Sequence, residues 1–343
     1  MTKRGNYLYV LGITVMVILF TETCARIIDL PPELYRLQLN STGSAFRVSD
    51  NPVLGYEFKK SYSDDNPDLY TSFPSTNSHG FRDIERTYEK GSRRIIVLGD
   101  SVVAGTGIFN LNDTIPGQLE AMLNAGGHNW EVLNFGVIGY STYQELELLK
   151  QKGPDYDPDI VILFFSKNDH MRYSRDIMLF GPEINFFLKN AYLKSRVFRH
   201  LATRFNWFGM RFKTDPLYRQ QVNNNNAAES GESLQRLIEF CRDSDIELFA
   251  VMWPNFPSLN NATDTLKYWQ EDRIFLEFAD HARSQNVGLI DVWDTFAEDY
   301  RSASPAEDFN EYYTINDTIH PNERGTYLAA KAINKSLIAE SPG

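Results

Sequence analysis

The sequence contains little cysteine, and its two cysteines, Cys24 and Cys241, lie far apart along the chain. Two distant thiols form neither a disulfide framework nor a cysteine-based metal site. Basic residues are also in the minority, since 34 lysines and arginines stand against 45 acidic residues, with a net charge of −11 and a pI near 5.1. This balance argues against a nucleic acid partner, because binding to phosphates needs a basic surface.

Several cofactor motifs are missing as well. The chain has no glycine-rich phosphate-binding loop, no dinucleotide-binding fingerprint and no His-Glu-x-x-His motif. The sequence therefore implies no cofactor and no metal. What it does have is 42% hydrophobic residues over 343 positions, enough for a full core. Its strand-like segments alternate with helical ones, which is typical of an α/β domain.

The most informative segment is Gly99-Asp100-Ser101-Val102, which follows the apolar run at 94–98. Such a run predicts a buried parallel strand, and ligands bind at the carboxyl edge of parallel sheets. A serine delivered to that edge is a candidate nucleophile. The nearby glycines permit a sharp turn and leave amide groups uncovered, as oxyanion stabilisation requires. The alternative interpretation of Ser101 is an ordinary helix N-cap.

A serine nucleophile needs a base, and the chain offers six histidines. Only His320 has an aspartate three residues before it, Asp317. This spacing lets the carboxylate reach the imidazole Nδ1–H while Nε2 faces the serine. The alternative is a C-terminal loop with a helix-capping aspartate and a surface histidine.

Two further blocks follow strand-like stretches. Residues 130–137 lead to Gly139, and residues 159–165 lead to Asn168. Parallel strands would carry both residues to the edge that holds Ser101. The backbone N–H groups of Ser101 and Gly139 and the side-chain amide of Asn168 would then converge on an oxyanion. Taken singly, Gly139 also fits a plain turn glycine, and Asn168 an Asx turn or a helix cap.

The chain order of Ser101, Asp317 and His320 resembles that of the SGNH (GDSL-type) hydrolase superfamily. Residues 132–142 (VLNFGVIGYST) resemble its second block, and residues 164–169 (FFSKND) resemble its third, in which Ser166 replaces the usual glycine. The resemblance covers roughly residues 91–335. It implies a three-layer α/β/α, flavodoxin-like sandwich with a parallel sheet of about five strands. It also implies a Ser101–His320–Asp317 triad, with an oxyanion hole made by Ser101, Gly139 and Asn168.

The N-terminal part of the chain is predicted to lie outside the catalytic domain. Within residues 1–26, Lys3 and Arg4 precede an apolar stretch, which predicts either a signal peptide or an N-terminal membrane anchor. Residues 27–90 predict an extension with short strands at 55–58 and 80–82. We interpret this extension as a structural clasp, with a place beside the active-site mouth as the alternative.

The catalytic domain is predicted over residues 91–340, with an insertion at about 171–228. Apolar periodicity predicts helices at 114–125, 142–152, 229–243, 265–285 and 321–339, and further strands at 246–253 and 287–293. Within the insertion, residues 184–213 carry seven basic residues and no acidic one, with apolar residues at helical spacing. This pattern predicts a basic amphipathic helix that packs on the domain, closes over the substrate as a lid, or lies on an anionic bilayer.

Together these features predict an exported serine ester hydrolase, located outside the cytoplasm, whose substrate is an ester of a carbohydrate or a lipid. The same residues would serve an O-acyltransferase if a hydroxyl of a cell-surface or exported polysaccharide replaced water as the acceptor. A membrane-tethered protein that binds or assembles glycans, with a lapsed hydrolase site, is the remaining alternative.

Overall fold

The computed structural model describes residues 3–28, 45–51, 53–54, 56–67, 69, 73–166, 169, 187–188, 191, 194–205, 207, 231–256, 273–305, 307–315 and 317–340. The strands are β1 (Phe46–Val48), β2 (Tyr56–Phe58), β3 (Arg93–Gly99), β4 (Trp130–Gly136), β5 (Ile160–Phe165), β6 (Glu247–Met252) and β7 (Gly288–Asp291). The helices are α1 (Lys3–Ile27), α2 (Ser101–Ala104), α3 (Ile115–Ala125), α4 (Thr142–Lys152), α5 (Arg196–Arg204), α6 (231–243), α7 (Arg273–Ser284), α8 (Trp293–Ala303), α9 (Phe309–Tyr313) and α10 (Glu323–Glu340). Two 3₁₀ turns lie at Leu111–Asp113 and Gly153–Tyr156.

Five parallel strands form the central sheet in the order β4-β3-β5-β6-β7. Strands β3 and β5 contain the unbroken apolar runs 95–98 and 160–165 and are buried from Arg94 and Ile160 onward, so both faces of the sheet must be covered. The chain runs from β3 to β4 in one direction along the sheet and from β4 to β5 in the other. Because such crossovers are right-handed, the connecting helices lie on opposite faces of the sheet. Helix α10 packs against α3 on one of these faces. The predicted three-layer α/β/α fold is confirmed.

Most predicted elements are confirmed with shifts of one or two residues, and local capping explains two of the boundaries. Helix α4 has the predicted bounds because Ser141 and Gln144 form a capping box at its start. Helix α3 begins one residue later than predicted because Thr114 is its N-cap and accepts a hydrogen bond from the N–H of Gly117. Of the helix predicted at 265–285, residues 265–272 lie outside the described residues.

Two predicted strands need correction. The strand predicted at 287–293 ends at Asp291, whose carboxylate accepts a hydrogen bond from the N–H of Trp293, where α8 begins. The strand predicted at 80–82 is wrong, because these residues form bends. The side chain of Asn77 accepts hydrogen bonds from the N–H groups of His79 and Phe81, which favours a turn over a strand.

The strand predicted at 55–58 is confirmed as β2, although residue 55 itself lies outside the described residues. It pairs with β1 in a separate two-stranded antiparallel sheet. Side chains of this pair, including Phe46 and Phe58, are buried in the same hydrophobic core as the central sheet. The N-terminal extension therefore packs directly onto the domain that contains the central sheet.

The insertion and the N-terminal helix meet each other. Part of the predicted amphipathic helix is confirmed as α5, and the rest of 184–213 lies largely outside the described residues. On α5, Ala202 is buried and Phe198 packs against the core, whereas Phe205 just beyond it is exposed. Helix α1 contacts α5. Among the helical residues described, none makes a stretch long and apolar enough to cross a membrane.

Candidate active site

Ser101 stands two residues after the end of strand β3, as the first residue of α2. The Asp100 carboxylate caps this short helix by accepting a hydrogen bond from the N–H of Val102 at 2.9 Å. A Cβ atom at position 99 would lie 2.4 Å from Val103 Cγ2, so the tight turn from strand to helix requires Gly99. Gly105, with a φ of 79°, ends the helix after a single turn.

The structure brings Ser101, His320 and Asp317 together. Ser101 Oγ lies 2.8 Å from His320 Nε2, although the two residues are 219 positions apart in sequence. His320 Nδ1 lies 2.5 Å from Asp317 Oδ2. The serine hydroxyl is therefore placed to donate to a neutral imidazole whose other nitrogen donates to the carboxylate, the arrangement that activates a serine nucleophile.

The Asp317 carboxylate is held in its charged form. Partial burial raises its pKa, but the hydrogen bond with His320 and those from the N–H groups of Ile319 and His320 outweigh burial and lower the pKa overall. The two N–H bonds are 2.8 Å long and end on Asp317 Oδ1, so Oδ2 is left for the imidazole. Asp317 can therefore stabilise a positive charge that develops on His320.

The loop that carries His320 rests on the end of strand β6. Trp253, directly after β6, donates its indole N–H to the carbonyl oxygen of Ile319 at 2.9 Å. The N–H of Phe256 donates to the carbonyl oxygen of Thr318 at 2.6 Å. The sequence does not reveal the role of Trp253 or Phe256, because a buried aromatic residue after a strand carries no signal of which loop it supports.

Gly139 occupies the turn after β4 and has a φ of 76°, in the left-handed region that favours glycine. The turn is closed by a hydrogen bond from the N–H of Tyr140 to the carbonyl oxygen of Val137 at 3.0 Å. Val137 in turn donates its N–H to the carbonyl oxygen of Gly99 at 3.0 Å. The turn that carries Gly139 is thus tied to the strand end that delivers Ser101.

The N-terminal extension also holds this turn. The hydroxyl of Tyr56 in β2 donates to the carbonyl oxygen of Ile138, and the hydroxyl of Tyr140 donates to the carbonyl oxygen of Tyr56. Gln144 adds a 2.9 Å hydrogen bond from Nε2 to the carbonyl oxygen of Leu54. The extension thus makes three hydrogen bonds to the segment around Gly139.

Asn168 lies outside the described residues, but residues on either side of it are placed. The N–H of Ser166 donates to Asp169 Oδ2 at 2.5 Å, and the N–H of Asp169 donates to the carbonyl oxygen of Ser166 at 3.0 Å. These two bonds join Ser166 to Asp169. Ser166 is not one of the residues with a positive φ, so its backbone does not require the glycine that is usual in this block.

Arg82 is a residue near the site that sequence analysis assigned to a strand. Its buried guanidinium donates hydrogen bonds to the carbonyl oxygens of Ala104, Gly105 and Ile108, in the segment that follows α2. It also lies over the ring of Phe73 at 4.3 Å. Burial lowers the pKa of Arg82 to about 9. The sequence around Arg82 carries no motif that distinguishes it from a surface arginine.

No cluster of three or more His, Cys, Asp or Glu side chains arranged to hold a metal ion is found in the part of the chain that the structure describes. The groups brought together here are a hydroxyl, an imidazole and a carboxylate, next to backbone amides of two strand-end loops. Such a set suits acyl transfer through a covalent serine intermediate.

The GDSL-like Lipase/Acylhydrolase family matches residues 97–328. The chain belongs to this family. It is accordingly an enzyme that hydrolyses ester bonds, and the resemblance to SGNH (GDSL-type) hydrolases is confirmed. The matched residues begin within β3 and end within α10, so they include the sheet but exclude β1 and β2.

Solved structures that are similar to this chain include two esterases and a lipase/acylhydrolase. An acetyl xylan esterase is 14% identical, with 71% of this chain and 99% of that chain covered and a TM-score of 0.45. A lipase/acylhydrolase from Enterococcus faecalis is 16% identical, with 73% and 98% covered and a TM-score of 0.44. A two-domain esterase active on acetylated mannans is 16% identical, with 72% and 49% covered and a TM-score of 0.43. No curated protein matches the chain significantly.

Proposed function

We propose that this family member hydrolyses acyl esters through a covalent serine intermediate, with Ser101 as the nucleophile. The observation that carries the proposal is the continuous hydrogen-bonded chain from Ser101 Oγ through His320 to Asp317, at 2.8 Å and 2.5 Å. Activity requires this geometry of three side chains from two distant parts of the sequence, whereas a site that had lost its activity would not require it.

In the first half of the reaction, Ser101 Oγ attacks the ester carbonyl while His320 Nε2 takes the hydroxyl proton. The carbonyl oxygen becomes an oxyanion, which accepts hydrogen bonds from the N–H groups of Ser101 and Gly139 and from the Asn168 amide. Among the described residues, neither of these two N–H groups has an acceptor within the protein. The intermediate then breaks its bond to the alcohol oxygen, which receives the proton from His320.

In the second half, water replaces the alcohol. His320 removes a proton from the water as the oxygen attacks the acyl-serine, and the same donors hold the second oxyanion. Collapse releases the carboxylic acid and returns the proton to Ser101. Throughout both halves Asp317 keeps the imidazole oriented and stabilises its protonated form.

The test is the hydrolysis of p-nitrophenyl esters of increasing acyl length by the wild type and by Ser101→Ala. We expect the substitution to lower kcat/KM by about 10³-fold or more and to leave the melting temperature unchanged. Ser336→Ala on α10, which removes a hydroxyl bonded only within its own helix, is the matched control.

The assay distinguishes the alternatives. Hydrolysis that persists in Ser101→Ala would exclude Ser101 as the nucleophile. Acyl transfer to an added polysaccharide, faster than release of the free acid, would identify an O-acyltransferase. A wild-type protein that releases no p-nitrophenol from any ester would identify a lapsed site.

We further propose that the enzyme works outside the cytoplasm and keeps its N-terminal helix. Lys3 and Arg4 precede the apolar stretch, and α1 exposes six consecutive side chains from Val15 to Phe20. Glu22 supports retention, since its carboxylate accepts hydrogen bonds from the N–H groups of Arg196 and Val197, at 2.9 Å and 3.2 Å.

Mass spectrometry of the mature protein, after separation of membrane and soluble fractions, tests this proposal. We expect peptides that contain Glu22 in the membrane fraction. A mature N-terminus at or after Arg26 would show that the segment is removed as a signal peptide, and recovery of the intact protein in the cytoplasm would contradict export.

A further inference from the structure

Three buried carboxyl groups belong to the segments that form the active site and take no part in the mechanism above. Asp100, Glu145 and Asp169 have relative exposures of 2%, 0% and 1%. Each one belongs to the segment that follows a different strand of the central sheet, β3, β4 or β5. These three strands are parallel neighbours in the order β4-β3-β5, so the segments that follow them lie side by side at one edge of the sheet. The charge of Asp100 raises the pKa of both other groups.

Each carboxyl group is adjacent in the chain to a proposed oxyanion donor or to its loop. Asp100 precedes Ser101 and caps α2. Asp169 follows Asn168, and its charged form is favoured by the N–H groups of Ser166 and Thr142, so it interacts with the loops after both β5 and β4. Glu145 lies in the first turn of α4, the helix that follows the turn of Gly139.

The surroundings of Glu145 are unfavourable for a charge. Both of its carboxyl oxygens are buried, and no group among the described residues donates a hydrogen bond to them. Burial raises the pKa of Glu145 well above its usual value, and the charges of Asp169 and Asp100 raise it further. No lysine, arginine or histidine in the described part of the chain offsets these effects on Glu145.

Asp169 differs from Glu145 in its hydrogen bonds. Burial and the charge of Asp100 raise the pKa of Asp169 well above its usual value, although the N–H groups of Ser166 and Thr142 oppose this shift. One oxygen of Asp169, Oδ1, is buried without a hydrogen-bond partner among the described residues, whereas both oxygens of Glu145 are. A proton shared within the cluster is therefore held best by Glu145, because its oxygens receive no N–H donor.

We propose that Glu145 is a positioning residue for the proposed ester hydrolysis. As a neutral carboxylic acid it lets Asp100 and Asp169 remain together, which keeps the segments that carry Ser101, Gly139 and Asn168 aligned. When Glu145 loses its proton, repulsion among three buried carboxylates separates these segments and weakens the oxyanion hole. The inference rests on the proposed function but concerns a different group of residues.

The sign of the pH dependence follows from the raised pKa of an acid. The folded state holds a proton that the unfolded chain releases above about pH 4.5, so stability from this group decreases as the pH rises towards the folded-state pKa. Activity is expected to fall as the pH rises through that folded-state pKa. Replacing Glu145 by glutamine, which is neutral at every pH, should remove both effects.

The experiment compares wild type, Glu145→Gln and Glu147→Gln in kcat, KM and melting temperature from neutral to alkaline pH, with a p-nitrophenyl ester as substrate. Glu147 is the matched control because it lies on the same helix but is only partly buried and accepts a hydrogen bond from Asn51. We expect Glu145→Gln to stay within about threefold of wild-type kcat at neutral pH and to keep its kcat to a pH about one unit higher. KM and the control variant should follow the wild type.

An alkaline profile of Glu145→Gln that coincides with that of the wild type would overturn the proposal, as would a wild-type kcat that stays constant over the whole range. If Glu145→Gln does not fold, the infrared spectrum of the wild type decides, since a protonated buried carboxyl gives a carbonyl band at neutral pH. Absence of that band would overturn the proposal. Failure of the proposed function is recognised separately, by hydrolysis that does not depend on Ser101.

Discussion

The hydroxyl of Tyr56 donates a hydrogen bond to the carbonyl oxygen of Ile138, the residue directly before Gly139. The hydroxyl of Tyr140, directly after Gly139, donates to the carbonyl oxygen of Tyr56. Strand β2, which lies outside the residues matched by the family, therefore holds both sides of the turn that carries a proposed oxyanion donor. The N-terminal extension is therefore hydrogen-bonded to the turn of the active site that contains Gly139.

Tyr56→Phe should lower kcat by about fivefold, because one buried hydrogen bond contributes about 1 kcal/mol and its loss loosens the turn of Gly139. KM should change less, since the oxyanion forms only after substrate has bound. Tyr62→Phe is the matched control, because this tyrosine of the same extension donates its hydroxyl to Asp64 instead. Equal losses in both variants would contradict a specific role for Tyr56.

Asn168→Ala should lower kcat by roughly 10²–10³-fold with a smaller effect on KM, because an oxyanion donor acts mainly in the transition state. Steady-state kinetics with one p-nitrophenyl ester measures both parameters. Asn129→Ala, which removes an exposed amide bonded to the carbonyl oxygen of Gly91, serves as the control. An effect confined to KM would reassign Asn168 to substrate binding.

Asp317→Asn should lower kcat/KM by about 10²-fold or more, because the imidazole loses the carboxylate that orients it and stabilises its charge. A pH series of melting temperatures gives a second measurement. Hydrogen bonds hold the folded-state pKa of Asp317 below 3.8, so the stability it contributes is present above that value and is lost as the pH falls through the lowered pKa.

The stability deficit of Asp317→Asn should consequently be largest at neutral pH and shrink in acid. A deficit that is the same at every pH would show that the carboxylate charge contributes nothing to the folded state.

Gly136→Ala should destabilise the fold by roughly 1–3 kcal/mol or more, because overpacking against rigid atoms forces the backbone to shift. A Cβ atom at this position would lie 2.3 Å from the backbone nitrogen of Ala104, at the end of the helix that begins with Ser101. Gly91→Ala is the control, since no atom lies within 4 Å of its added Cβ. Chemical denaturation that gives equal free energies of unfolding for the two variants would contradict this close packing.

Much of the fold and several site residues were predictable from sequence, since their signals are local. Unbroken apolar runs such as 160–165 indicate buried parallel strands, and strand ends indicate the edge where Ser101 and Gly139 lie. The three-residue spacing of Asp317 and His320 allows their contact within one turn of chain. The strand predicted at 80–82 was wrong because an Asx turn at Asn77 competes with extended backbone, and alternation over three residues is too short to exclude it.

By itself, the sequence determined which residues follow the parallel strands and which residues are the candidate nucleophile and base. It also determined membership of the hydrolase family. Tertiary structure decided what surrounds them. Tyr56 donates a hydrogen bond to Ile138 across 82 positions. The charges of Asp100 and Asp169, in the segments after two other strands, raise the pKa of Glu145. No periodicity encodes such pairs, because an interior tyrosine or glutamate has the same local pattern whichever partner it finds. Only packing of the extension and of α4 against the sheet brings these groups to the site.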